Sequence, residues 1–113
     1  MEKRSIPRVQ PFVVRCLLID GERRTSGYVT DISPRGAQVA CDGEAPPDDT
    51  MVVVEVRFPA AAKLCRLPAR LRWSQPADEG QTCGLTFEDL EPEDRAALEG
   101  VIERIRRHAE QLS

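Results

Sequence analysis

Aromatic residues are scarce in this 113-residue sequence, which holds one Trp, one Tyr and three Phe. A barrel that binds single-stranded nucleic acid stacks successive bases on aromatic platforms. Here Phe58 and Phe87 fall on apolar strand patterns, so too few rings remain for that role. Histidine occurs once, as His108 beside Arg106 and Arg107 late in a helical pattern, where a cation complements the helix C-terminus. There is no GxSxG, no HExxH and no P-loop lysine motif, and an enzyme is not expected. The four cysteines, Cys16, Cys41, Cys65 and Cys83, include no CxxC pair to clamp a metal, so no metal and no cofactor are expected. No apolar run is longer than that of Met51 to Val54, far short of a membrane span. Pro7, Gln10 and Pro11 interrupt any secretory segment, which predicts a cytoplasmic protein whose cysteines are small core hydrophobes.

Hydrophobic residues make up 41% and charged residues 31%, a globular balance, and the length predicts one domain over residues 1–113. The net charge of −3 argues against general nucleic-acid binding, which needs a broad basic surface. Charge is uneven, however. Residues 1–24 hold six Lys/Arg against three Asp/Glu, whereas residues 77–94 hold seven acidic residues and no basic one. The first segment can receive a compact anion; the second repels one.

Alternation of period two marks six strands. Phe12 to Ile19 is the first, and after the Asp20-Gly21 turn signal Thr25 to Ile32 returns as the second. Ser33-Pro-Arg-Gly36 reverses the chain into a third across Ala37 to Cys41. Asp42 to Asp49 is a loop by composition, and Met51 to Phe58 a fourth strand with Val52, Val54, Val56 and Phe58 on one face. The fifth runs from about Leu64 to Trp73, with Pro68 restricting it to an edge, an end or a bulge. A polar turn over Ser74 to Gln81 leads to the sixth, Thr82 to Glu88. From Pro92 the period becomes helical, with Leu98, Val101, Ile102, Ile105 and Leu112 in a stripe and acidic residues at the N-terminus. The fold class that follows is all-β: a six-stranded antiparallel barrel over residues 11–88 capped by a helix over 91–112, with a flexible arm over 1–10.

Two short signatures stand 22 residues apart: Arg4-Ser-Ile-Pro-Arg8 and Asp31-Ile-Ser33-Pro-Arg-Gly36. A guanidinium can fork onto a phosphate, pair with the O6/N7 edge of guanine, or stack on a purine. Pro7 keeps Ile6 out of the α region, so Arg4 and Arg8 start about 13 Å apart and can embrace a ligand from two sides. An ionised Asp31 can accept from the N1–H and N2–H₂ edge that distinguishes guanine from adenine. Ser33 can donate to an anion, and Gly36 allows close approach to the main chain. Each signature also has a plainer reading: a solvated charged tail for the first, a tight hairpin turn for the second.

Together, in this order on an all-β pattern, the signatures resemble the PilZ domain family, whose members bind the bacterial second messenger cyclic di-GMP through RxxxR and [DN]xSxxG. Ala69-Arg-Leu-Arg-Trp73, Gly84-Leu-Thr-Phe87 and the terminal helix are similar to the family's later elements, so the likeness covers nearly the whole chain. The resemblance implies that Arg4 and Arg8 grip phosphates and guanines while Asp31, Ser33 and Gly36 wall the site. Trp73 stacks or lines the pocket on this reading, or else belongs to the core. Lys3 stands where many members carry another arginine, a replacement that cannot fork or stack. The replacement implies either a reduced affinity or one bound ligand in place of a stacked pair. Arg35 either adds a phosphate contact or faces solvent.

The implied function is a cyclic di-GMP receptor, monomer or weak dimer, whose arm closes on the Asp31–Gly36 turn and presents a new surface to a downstream effector protein. The alternative is an adaptor that keeps the barrel and ignores nucleotide, docking a partner through residues 77–94 or the helix. A cyclic dinucleotide with one guanine replaced by adenine also fits the residues.

Overall fold

The computed structural model describes residues 14–58 and 64–112, with helix side chains described to residue 107. The elements are β1 (Val14–Asp20), β2 (Arg23–Ile32), β3 (Gly36–Cys41), β4 (Met51–Val56), β5 (Cys65–Pro76), β6 (Gln81–Phe87) and α1 (Pro92–Leu112). The strands close in the order β1-β2-β3-β6-β5-β4, each neighbouring pair antiparallel. Closure removes the unpaired edges that an open sheet of this size would expose.

Alternation fills the interior. Leu18, Val29, Val39, Val54, Leu67, Leu71 and Cys83 are at most 1% exposed, and Phe58 plugs the core just beyond β4. All four cysteines are buried and free of disulfides, the role that their spacing predicts. Burial pushes the Cys16 thiol up to about 12, and a hydrogen bond with Cys41, reinforced by burial, raises Cys83 as well. Neither Cys16 nor Cys83 is a thiolate at neutral pH. The helix lays Leu98 and Val101, with half-buried Ala97, Ile102 and Ile105, against this core.

Strand limits depart from expectation where pairing outruns composition. β5 continues past Trp73 because Ser74, Gln75 and Pro76 pair with Cys83, Thr82 and Gln81 of β6, leaving a turn tied by the Ala77 N–H to the Gly80 carbonyl at 3.1 Å. β2 likewise begins at Arg23, because Gly21, at φ 61°, supports a two-residue turn. Pro68 lies inside β5, opposite Val53 of β4. Its carbonyl accepts from the Glu88 N–H at 2.9 Å, just beyond the last residue of β6. Since N–H and C=O of one strand residue point to the same side, the donor that proline lacks falls where β6 has ended.

Candidate functional site

Two interruptions of strand register create the site. Inward positions on β2 are Thr25, Gly27 and Val29, and strict alternation puts Asp31 inside with them. Between Val29 and Asp31, however, β2 advances two residues while β3 advances one, since Val29 pairs with Val39 and Asp31 with Gln38. The extra residue, Thr30, is a bulge, and it turns Asp31 outward to an exposed position.

The same event recurs on β5. Cys65, Leu67, Ala69 and Leu71 point inward, and Trp73 would follow them. Leu71 pairs with Leu85 and Trp73 with Gly84, so Arg72 is the extra residue and Trp73 emerges 36% exposed. Trp73 therefore stands on the outer face of the barrel and not in its core. Gly84 leaves room for it, because a Cβ there would overlap the indole itself.

Both re-aimed side chains face one open cavity of about 290 Å³ on the outer wall of the barrel. The end of β2 contributes Asp31 and Ile32, and the following turn contributes Ser33 and Arg35. Gly36 to Gln38 of β3 form the floor, with Gly84, Leu85 and Thr86 of β6 beside them. Arg72 and Trp73 close the far side. Among the described residues, the cavity wall carries one carboxylate, Asp31, and two guanidinium groups, Arg35 and Arg72.

The turn is built by its own residues. The Ser33 hydroxyl oxygen accepts from the N–H groups of Arg35 and Gly36, both at 3.2 Å, and the Ser33 N–H donates to the Gly36 carbonyl at 2.9 Å. The Phe87 N–H reaches the Arg35 carbonyl at 2.8 Å and ties the turn to β6. Ser33 therefore shapes the wall as the plain turn reading expects, while still lining the cavity. Gly36 lines the cavity and has a packing role as well: a Cβ there would collide with the Leu85 carbonyl oxygen, so glycine lets β3 approach β6.

The charged groups differ in what they already hold. Arg70, two residues before Arg72 on β5, pairs with Glu88 at 3.1 Å and donates to the Asp49 carbonyl at 3.1 Å. Arg72 uses only Nε, on the Thr86 hydroxyl at 3.3 Å. Among the described residues, the Asp31 carboxylate, the Arg35 guanidinium and the Arg72 terminal nitrogens have no hydrogen-bond or ion-pair partner. Arg72 and Thr86 received no role from the sequence, although the outward parity of Arg72 between Leu71 and Trp73 is a usable signal. Lys3, Arg4 and Arg8 lie outside the described residues.

Gly84 and Trp73 offer a direct check of this geometry. Gly84→Ala should force the indole out of its seat, lowering stability by about 1–3 kcal/mol. Trp73 is the only tryptophan, so a red-shifted emission maximum reports the move; an unchanged spectrum would contradict the packing described.

A family model described as the PilZ domain matches residues 2–104. Among solved structures, the chain is similar to the PilZ domain with c-di-GMP of YcgR from Escherichia coli, with a TM-score of 0.68 at 13% identity, covering 88% of this chain and 86% of that one. It is also similar to the Bacillus subtilis inhibitor of motility MotI/DgrA, with a TM-score of 0.66 at 22% identity. That match covers 95% of this chain and 53% of the other, so this chain spans about half of MotI. At these identities the likeness establishes the fold. No curated protein matches the chain.

Proposed function

This chain belongs to the PilZ domain family, and from that premise we propose that it is a cyclic di-GMP receptor whose ligand sits in the cavity between the β2–β3 turn and the β5 bulge. The observation that carries the reading is the convergence, through two bulges, of Asp31, Arg35, Arg72 and Trp73 on one wall. Asp31 accepts from the guanine N1–H and N2–H₂ edge, the arginines neutralise phosphate, and Trp73 offers a face to a base.

Arg4 and Arg8 supply the second side of the grip. β1 starts at Val14 opposite Val29, two residues from Asp31, so the chain enters the barrel at the Asp31 end. Arg8 is six residues before Val14, a reach of up to about 20 Å. Closure of the arm over a ligand would create the surface that an effector protein reads, and the ligand's preference for the closed arm drives the change.

Titration of the protein with cyclic di-GMP, followed by Trp73 fluorescence, should show micromolar binding. Arg8→Ala should weaken it about tenfold while leaving ligand-free melting unchanged. No binding by the unaltered protein overturns the receptor reading and favours the nucleotide-independent adaptor.

A further inference from the structure

Resting on the receptor reading, we propose that Arg72 is a phosphate-binding residue built into the barrel wall, fixed by Thr86 and independent of the N-terminal arm. Three observations converge on this role. The bulge places Arg72 at the cavity beside Trp73, where its terminal nitrogens have no partner among the described residues. Its Nε is held by the Thr86 hydroxyl at 3.3 Å, which restricts the guanidinium plane and leaves the terminal fork for a ligand. Arg70, on the same strand and equally cationic, is already neutralised by Glu88 and so is excluded from the role.

Electrostatics favours a phosphate for this fork. Asp31 faces the same cavity, and a carboxylate alone repels a dianionic dinucleotide. The two arginines of the wall reverse that sign, whereas Arg35 alone would only cancel it. Asp31 already reads the guanine edge, so the positive charge is most useful where the ligand is negative. A planar fork meets two phosphate oxygens at once, which a lysine at the same place cannot do.

Cyclic di-GMP titrations of the full chain at low and moderate salt test the assignment. Arg72→Ala should weaken binding about tenfold or more and make the salt dependence shallower, because one phosphate contact no longer releases a counterion. Arg72→Lys should recover only part of the affinity, and Thr86→Val, which removes the Nε partner at constant shape, should cost a few-fold. Ligand-free melting of all three should match the unaltered protein. Binding of Arg72→Ala within twofold of the unaltered protein, or weakened binding with an unchanged salt slope, overturns this proposal and leaves the receptor reading standing. Failure of the unaltered protein to bind overturns both.

Discussion

Asp31→Ala should lower affinity for cyclic di-GMP about a hundredfold while leaving the ligand-free fold intact. Two charge-assisted hydrogen bonds to guanine N1–H and N2–H₂ are each worth about 1.5–3 kcal/mol. Losing the carboxylate also relieves its repulsion of the phosphates, roughly 1 kcal/mol at a solvated site. The difference, about 2–5 kcal/mol, corresponds to about one and a half to three and a half decades in Kd, and a hundredfold loss lies in the lower half of that range. Asp31 is exposed and has no partner among the described residues, so stability should stay within about 0.5 kcal/mol of the unaltered protein. Asp31→Asn separates charge from shape: its amide keeps one acceptor but sets a donor against the guanine amino group, and it should bind little better than Asp31→Ala. Adenine presents an acceptor where guanine presents N1–H, so cyclic di-AMP should not compete. Unaltered affinity in Asp31→Ala would remove base recognition from this wall.

Gly36→Ala should be the most destabilising small substitution at the site. The added methyl meets the carbonyl oxygen of Leu85, with the Leu85 carbonyl carbon at 3.1 Å and Thr86 Cα at 3.3 Å. All three are backbone atoms of β6, held in register by the Gly36–Thr86 and Ala37–Leu85 pairs, and none can swing aside as a side chain can. Relief requires β3 and β6 to part beneath the cavity. A loss of about 3 kcal/mol or more is expected, with Tm falling by more than about 10 °C. Gly100→Ala is the control: a Cβ there meets nothing within 4 Å, and the helix should gain up to about 1 kcal/mol. Denaturant titration of the two variants decides the matter; a Gly36→Ala protein within about 1 kcal/mol of the parent would show that β3 is less constrained than its contacts imply.

Ser33 and Gly36 are legible as a turn, and the family resemblance puts both on the wall, but the packing of Gly36 against β6 is not legible. Ser33 reads as a turn former because its hydroxyl can reach amides two and three residues on, and it does so. Nothing local reveals that Leu85, 49 residues beyond Gly36 in the chain, sits where a Cβ would be. Arg70 and Arg72 present the same difficulty, since both stand between apolar neighbours in the sequence. Only the position of Glu88 beside one of them and the bulge beside the other gives them different roles.

Six alternating segments and one helical stripe are enough to determine the strands, the helix, the burial of the four cysteines and the chemical inventory of the two signatures, because period and composition are local properties. Which face Asp31 and Trp73 occupy is decided by the tertiary structure. Alternation taken alone sends both into the core. Each is turned outward by one unpaired residue, Thr30 or Arg72, and a bulge is a property of two strands in register, which the period of either strand alone does not carry.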